Sequence, residues 1–213
     1  MLIVHKDVGG EGQNSLVISG PCRLRSVIFA GAPSFSIGPD SQMEKCCFGA
    51  WSNNGHVKTP TTIRNSIAVM HFGIDGSAKA VLENVLIPTT NLFEAPFELR
   101  FCTVSGQTLF PEGESSALDS ILGSVQARRE GNRIDYCNVV SGKFVDLARP
   151  GKGCFSADPQ FVDPKNLDYR LLPTSPCIGK ASDGGDLGCR YTPEMIEMCR
   201  KALELRAQGI IKF

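Results

Sequence analysis

The sequence lacks a surplus of charge of either sign, and it lacks any long hydrophobic run. Its 22 Lys and Arg residues balance 22 Asp and Glu residues, so the formal net charge is zero. A protein that binds nucleic acid through the phosphates shows a basic surplus, so we expect no nucleic-acid partner. No apolar run approaches the roughly 20 residues that a membrane-spanning helix needs, so we expect no membrane span.

The first residues also lack the core of a signal peptide. Residues 1–4 are apolar, but the polar residues 5–7 follow at once, whereas a signal peptide carries an apolar region of about 7–15 residues. Three interpretations stay open: an intracellular protein, a protein whose signal has been removed, or a piece of a longer chain.

Motifs for metal, phosphate and nucleophilic chemistry are missing as well. There are nine cysteines but no C-x-x-C, and no third ligand accompanies His56 and His71, so zinc is not indicated. We therefore predict no metal and no cofactor. An odd number of cysteines cannot pair completely within one chain, and Cys177 and Cys189, which flank a loop, are the pair we would test for a disulfide.

The sequence does contain a repeat. Between residues 62 and 142, strand-like segments recur in steps of 19, 18, 17 and 18 residues. The last apolar residues of these segments are Ile67, Leu86, Val104, Ile121 and Val139. A fixed period near 20 residues is typical of a solenoid, and β-branched and aromatic residues favour strands. This pattern predicts a parallel β-helix whose coils stack ~4.8 Å apart, with these residues in an interior column.

A second column runs two positions earlier in each segment. It contains Asn65, Asn84, Cys102, Asp119 and Cys137. We expect Asn65 and Asn84 to face inward and to hydrogen-bond to each other between coils, so that Asn84→Leu costs about 1–3 kcal/mol. Cys102 and Cys137 are expected to be buried fillers, two coils apart and too distant for a disulfide.

After residue 190 the period changes from strand-like to helical. Thr192 is a good N-cap, Pro193 suits the first helical position and Gly209 is a stop signal. We predict an amphipathic helix over 193–208 that covers the open end of the solenoid. Its expected apolar face comprises Met195, Ile196, Cys199, Ala202, Leu203 and Leu205. The predicted organisation is a parallel β-helix over 1–190 and a capping helix with a tail over 191–213.

The other end of the chain shows no cap. Residues 1–18 contain two strand-like segments and no helical period. An uncapped solenoid presents an edge that can pair with another chain. We therefore expect this N-terminal coil to continue an upstream β-helix, or to pack on a partner chain or a second copy. The apolar tail, residues 210–213, is expected to dock on a neighbour.

Four segments near the C-terminus resemble a known family. They are Asp158-Pro159-x-Phe161-x-Asp163, Asp168-Tyr169-Arg170-Leu171, Ser175-Pro176-Cys177-Ile178-Gly179 and Asp186-Leu187-Gly188. They look like the closing segment of right-handed parallel β-helix proteins, the pectate-lyase-like repeat proteins of large secreted bacterial polypeptides. The resemblance covers about 115–190 well and 60–114 loosely. It implies an all-β, right-handed parallel β-helix and an extracellular or cell-surface location.

Proteins of this fold commonly bind extended polysaccharides along one face, because the coil spacing is about half the length of a disaccharide. In the repeat, the position before the second column holds Arg64, Glu83, Phe101, Leu118 and Tyr136. Arg64 and Glu83 could form a sugar-facing pair, or only a surface salt bridge. Tyr136 and the single tryptophan, Trp51, complete the candidate binding residues, although Trp51 also suits a core or cap position.

Catalysis is weakly indicated. By the family resemblance, a lyase would hold calcium in a cluster of acidic residues. Here Asp75, Glu83 and Asp119 are scattered across coils. A glycosidase needs paired carboxylates, and no such pair stands out. A left-handed hexapeptide acyltransferase is rejected because aliphatic residues do not recur every six positions. Two hypotheses remain: a β-helix that binds or cleaves a polysaccharide, and a non-catalytic structural or adhesive module of a larger assembly.

Overall fold

A computed structural model describes residues 2–4, 15–30, 34–49, 54–58, 60–69, 72–76, 78–89, 92–111, 114–211 and 213. The strands are β1 (Leu2–Val4), β2 (Ser15–Ile18), β3 (Arg23–Arg25), β4 (Val27–Phe29), β5 (Ser34–Ile37), β6 (Ser41–Glu44), β7 (Cys47–Phe48), β8 (Asn54–Lys58), β9 (Thr61–Ala68), β10 (Phe72–Asp75), β11 (Ala80–Ile87), β12 (Leu92–Phe93), β13 (Phe97–Arg100), β14 (Thr103–Phe110), β15 (Ser116–Leu118), β16 (Ile121–Ala127), β17 (Arg133–Asp135), β18 (Asn138–Val139), β19 (Phe144–Asp146), β20 (Phe161–Asp163) and β21 (Asp168–Leu171). A 3₁₀ helix at Pro164–Asn166 joins β20 to β21, and one α-helix, α1, spans Pro193–Ala207.

Parallel pairing between successive coils winds these strands into a β-solenoid with three sides. Side 1 consists of β3, β6, β13, β15, β17 and the first halves of β9 and β11. Side 2 consists of β1, β4, β7, β18, the second halves of β9 and β11, and the starts of β14 and β16. Side 3 consists of β2, β5, β8, β10, β12, β19 and the ends of β14 and β16. The predicted all-β parallel solenoid with a C-terminal helix is confirmed.

A single left-handed residue turns each coil from side 1 to side 2. These corner residues are Ser26, Lys45, Asn65, Asn84, Phe101, Asp119 and Tyr136, all with φ between 47° and 57°. Asn and Asp adopt this conformation at little cost, whereas other residues lose about 1–2 kcal/mol. Because the corners stack on one another, the register between coils holds even Phe101 and Tyr136 in this conformation.

The residue after each corner points into the solenoid and is often Cys or Ser. Its thiol or hydroxyl donates to the carbonyl two residues earlier, for example from Ser66 to Arg64 (2.6 Å) and from Cys102 to Arg100 (3.4 Å). Cys137 makes the same contact with Asp135. Cys102 and Cys137 are fully buried, which confirms them as interior fillers. The same carbonyls also accept a backbone N–H from the preceding coil, as Asp135 O does from Asp119 (3.3 Å), so the thiol or hydroxyl adds a second hydrogen bond.

The predicted columns are partly wrong in register. Strand pairing aligns Ile67, Leu86, Thr103, Ile121 and Asn138, whereas Val104 and Val139 lie one residue further on. The interior column of side 2 is Phe29, Phe48, Ala68, Ile87, Val104, Leu122 and Val139. The step from Leu86 to Thr103 is only 17 residues, so counting apolar residues from coil to coil slips by one there.

After β19 the chain adds one last partial coil, in which Phe155 pairs with Asn138, and then returns along the corners. β20 and β21 form an antiparallel hairpin, and the following residues contact successively earlier coils. The backbone N–H of Ser182 donates to Asp119, that of Cys189 donates to Thr103 (2.9 Å), and that of Arg190 donates to Asn84 (2.6 Å). We call residues 175–192 the return segment.

Helix α1 is present as predicted, but it does not cover the open end of the solenoid. Thr192 caps it by accepting a hydrogen bond from the N–H of Met195 (3.2 Å). Its buried residues pack on the outer surface of side 2, against Ile28, Cys47, Ile67 and Leu86. Ile67 and Leu86 were expected in the interior, so this part of the prediction is wrong, and side 2 is buried on both of its faces.

Two further predictions about the C-terminus change with this position. Ile196, placed on the apolar face of the helix, is 47% exposed, while Met198 is buried instead. The tail was expected to dock on a neighbouring molecule, but Ile211 is buried against side 2 of its own chain, where a Cβ added at Gly49 would lie 3.4 Å from Ile211 Cδ1. Glu194 at the start of the helix pairs with Lys45 (2.6 Å), which lowers the pKa of Glu194 to about 2.

The predicted hydrogen bond between Asn65 and Asn84 is confirmed, but the prediction that both side chains face inward is wrong. Asn84 donates to the side-chain oxygen of Asn65 over 2.9 Å. Both residues are corners, however, and Asn84 faces the return segment, where it also donates to Arg190 O and contacts Met195 Sδ. The residue after each corner points into the solenoid, whereas the corner side chain points out of it, as the contact of Asn84 with Arg190 shows.

Thr108 leads to a first prediction. Its hydroxyl is fully buried and, among the described residues, it has no hydrogen-bond partner. Thr108→Val removes this unsatisfied group at nearly constant volume, so we expect the free energy of unfolding to rise by about 1 kcal/mol in urea denaturation. Thr103→Val is the control: Thr103 accepts the N–H of Cys189, so its loss should be destabilising. A less stable Thr108→Val variant would contradict the prediction.

Candidate binding face

The outer surface of side 1 is a regular face that the return segment and α1 leave open. Outward side chains form two columns along the solenoid. The first column is Arg25, Glu44, Arg64, Glu83, Arg100, Leu118 and Asp135, and the second is Arg23, Gln42, Thr62, Val81, Glu98, Ser116 and Arg133. We call this surface the side 1 face.

Charge alternates along the first column. Arg25 lies 3.4 Å from Glu44, and Arg64 lies 2.9 Å from Glu83. Their side chains remain 39–68% exposed, so these pairs add little to stability. Because water already surrounds these groups, exchanging an intramolecular partner for a ligand carries a small desolvation cost.

Arginine recurs on every second coil of this column. Arg25, Arg64 and Arg100 are separated by Glu44 and Glu83, so neighbouring guanidinium groups are about 10 Å apart at the usual coil rise. A groove of about 420 Å³ runs over the first three coils. It is lined by Arg23, Leu24, Arg25, Gln42, Met43, Glu44, Thr62 and Arg64.

A second hollow, of about 300 Å³, lies where this face meets the return segment. Its base is the Phe101 ring, with the Arg190 guanidinium 3.9 Å and the Arg100 guanidinium 4.9 Å from the ring centroid. Asp183 accepts two hydrogen bonds from Arg190, each of 2.8 Å. Arg190 therefore holds the pKa of the Asp183 carboxyl well below its usual range. The hollow presents fixed positive charge beside an aromatic ring, with Arg64 and Glu83 on its other wall.

The structure brings together only part of the predicted site. Arg64 and Glu83 are neighbours on the side 1 face, as expected. Tyr136 does not share their column: it is a corner residue three coils beyond Asn84, and its ring lies 5.5 Å from Lys152 Nζ. Phe101 was also grouped with Arg64 and also lies outside this column, because Phe101 and Tyr136 both lie one position later in the coil than Arg64. Trp51 lies outside the described residues.

Sequence reasoning missed several residues of this face. Arg25 and Glu44 precede Arg64 by the same steps of 19 and 20 residues, so extending the repeat towards the N-terminus would have found them. Arg100 was hidden by the shorter step after Glu83. Arg190 is contributed by the return segment, and no repeat pattern places it here.

Cys177 and Cys189, the pair singled out for a disulfide test, are not bonded to each other. Both are free thiols and they lie in separate hydrophobic clusters, and the other seven cysteines are also free. Within the described part of the chain, no three His, Cys, Asp or Glu residues are arranged to hold a metal ion. Over the same residues, α1 is too short and too polar to cross a membrane.

Comparison with known proteins adds no family assignment. No protein-family description and no curated protein matches this chain. The structure itself establishes the fold as a parallel β-solenoid with a C-terminal helix. The likeness of residues 158–188 to pectate-lyase-like repeat proteins remains a resemblance.

Proposed function

We propose that the protein binds an extended acidic polysaccharide along the side 1 face. The observation that carries this proposal is the recurrence of Arg25, Arg64 and Arg100 on every second coil of an open, straight column. A guanidinium group binds carboxylate in a bidentate manner, with two parallel hydrogen bonds. A polyuronate whose successive sugars face alternate sides would present one carboxylate per disaccharide length to this face, and so one carboxylate to each arginine.

The residues between the arginines suit the rest of a sugar chain. Glu44 and Glu83 accept hydrogen bonds from hydroxyl groups, and Gln42 and Thr62 in the second column both donate and accept. Since the net charge of the chain is zero, attraction over long range is weak and recognition depends on contact. Binding should therefore require several consecutive coils and a polymer rather than a monosaccharide.

The family resemblance supports the same proposal. Pectate-lyase-like β-helices are associated with polysaccharides, and they belong to secreted polypeptides. The protein would then meet its ligand outside the cell or at the cell surface. The charged column contains no acidic cluster of the kind that holds calcium in a lyase, so binding is the primary activity proposed and cleavage is a further outcome of the test.

The test is a binding titration of the purified chain with oligogalacturonate, and with cello-oligosaccharide of equal length as the neutral comparison. Arg64→Gln should weaken oligogalacturonate binding about tenfold or more, because a hydrogen bond between two charged groups is worth about 1.5–3 kcal/mol. The matched control is Arg200→Gln, since Arg200 is also exposed and ion-paired but lies on α1. Ultraviolet absorbance for unsaturated products and an assay for reducing ends would reveal cleavage.

The proposal fails if the unaltered chain binds neither oligogalacturonate nor another uronate polymer such as alginate. It also fails if Arg200→Gln weakens binding as much as Arg64→Gln. Equal affinity for the neutral oligosaccharide would place the recognition in hydroxyl contacts and remove the role given to the arginines.

One observation favours the alternative, a structural module within an assembly. In the described part of the chain, β1 pairs only with β4 and stands at the end of its sheet. An open strand edge can pair with an upstream coil, a partner chain or a second copy. Light scattering that shows a clean monomer at high concentration, together with slow hydrogen exchange in residues 2–4 and 15–18, would argue against this alternative.

A further inference from the structure

Two cysteines stand side by side in the last coils of the solenoid. Asn138 and Phe155 form a parallel bridge, and the N–H of Phe155 donates to Cys137 O over 3.1 Å. The residues before them, Cys137 and Cys154, are therefore direct neighbours on adjacent coils. The spacing of such neighbours, about 4.8 Å, lies within the range of roughly 4.4–6.8 Å between the Cα atoms of a disulfide.

Both thiols point into the solenoid and interact with each other. Cys137 is fully buried and Cys154 is half-buried against the same core cluster. Cys154 Sγ donates to Ile134 O (3.1 Å) and Cys137 Sγ donates to Asp135 O (3.2 Å). The other interior cysteines of this column lack such a neighbour: Cys102 has Val85 on one side and Ser120 on the other.

The two thiols differ in acidity. Burial raises the pKa of the Cys137 thiol above its usual value. The neighbouring Cys137 thiol, whose S–H donates to Cys154 Sγ in place of Asp135 O once Cys154 loses its proton, lowers the pKa of Cys154 to about 6, against the opposing effects of burial and of the Asp135 carboxylate. By contrast, burial raises the pKa of Cys102 to about 12. A thiolate is the reactive form of cysteine, so Cys154 is the nucleophile of the pair.

We propose that Cys137 and Cys154 are a redox-active dithiol, in which Cys154 reacts first with hydrogen peroxide and Cys137 resolves the product into a disulfide. The Cys154 thiolate attacks one oxygen, the O–O bond breaks, and the departing hydroxide takes up a proton to form water, which leaves Cys154 as a sulfenic acid. Cys137 Sγ then attacks Cys154 Sγ, and the S–O bond breaks as the S–S bond forms. The departing hydroxide takes the Cys137 proton as a second water, so two thiols lose two electrons to one peroxide.

The sequence allows a direct readout on the full chain. Trypsin releases residues 134–143 with Cys137 as the only cysteine, and residues 153–165 with Cys154 as the only cysteine. After graded peroxide treatment and alkylation of the remaining thiols, we expect a linked pair of these two peptides by mass spectrometry. It should form at a peroxide concentration at least tenfold below that which modifies Cys102. Without peroxide, iodoacetamide at pH 7 should alkylate Cys154 at least ten times faster than Cys102.

The variant Cys137→Ala separates the two roles. Its Cys154 sulfenic acid should persist and be trapped by dimedone, and the midpoint of the pH profile of Cys154 alkylation should move upward. Slow alkylation of Cys102 in this variant reports that the coils remain folded. The proposal is overturned if Cys154 reacts no faster than Cys102, if peroxide yields Cys154 sulfinic acid without the linked pair, or if Cys154 links to Cys177 instead. The linked-peptide experiment uses the unaltered chain, so it tests the proposal even if the Cys137→Ala variant fails to fold.

Discussion

Replacing Gly123 by alanine is expected to lower the free energy of unfolding by about 3 kcal/mol or more. Gly123 lies in β16, opposite an irregularity of β14 where the register shifts between Val104 and Gln107. A Cβ at Gly123 would overlap the carbonyl of Ser105 and lie 2.6 Å from Gly106 O. Both atoms belong to backbone, so no side-chain rotation relieves the overlap, and such overpacking is costly.

The measurement is chemical denaturation followed by circular dichroism, and the matched control is Gly20→Ala. Gly20 also lies in the solenoid region, but nothing approaches within 4 Å of the position of its Cβ. The control should be neutral or slightly more stable, since alanine restricts the unfolded chain more than glycine does. Equal free energies of unfolding for the two variants would show that the backbone of β14 moves away from the added Cβ without a loss of stability, and would contradict the prediction.

Asn84→Leu is expected to cost about 2–4 kcal/mol, more than the ladder between coils alone would suggest. Asn84 combines a left-handed backbone, with φ 57°, and hydrogen bonds to Asn65 and to both backbone groups of Arg190. Leucine satisfies none of these groups and disfavours the left-handed conformation. The loss should appear as a lower midpoint in thermal and urea denaturation.

Asn84→Gly divides this cost into its two parts. Glycine adopts the left-handed conformation freely but makes none of the side-chain hydrogen bonds. It should therefore fall between the unaltered protein and Asn84→Leu, with the leucine variant lower by about 1 kcal/mol, the cost of a left-handed backbone in that residue. If Asn84→Leu unfolds within 0.5 kcal/mol of the unaltered protein, roughly the limit for a neutral substitution, the contacts to the return segment carry no stability.

The features that the sequence predicted well are those with a local or periodic cause. The solenoid follows from a repeat because stacked coils must keep their strands in register. The ends of α1 follow from Thr192, Pro193 and Gly209, whose effects depend on a few neighbouring residues. Cys102 and Cys137 were placed in the interior because free cysteine is among the most buried residue types.

The register was harder to predict because the turns between sides differ in length and the corner accepts many residue types. Asn65 and Asn84 marked the corner as polar, but Phe101 and Tyr136 occupy the same position in later coils. The columns drawn through Cys102 and Cys137 therefore moved by one residue. The error carried directly into the site, where Tyr136 was grouped with Arg64.

The sequence does contain a pattern that indicates where α1 packs. Side 1 strands alternate, as in β13, where buried and exposed residues follow one another. The early side 2 strands are continuously apolar, as in Val27–Phe29. A continuous run indicates a strand buried on both faces, so side 2 needed a covering layer. Arg190 has no comparable signal, because its place depends on the path of the whole return segment.

The way α1 is laid on side 2 has a consequence for the order of events during synthesis. Lys45 meets Glu194, a residue 149 positions later. At about 5–20 residues per second, the ribosome needs roughly 7–30 s to make that stretch. Throughout that interval α1 does not yet exist, so the outer face of side 2, with Ile28, Cys47 and Ile67, stays uncovered. A chain truncated just before residue 193 would therefore form its coils but leave this apolar surface in contact with water.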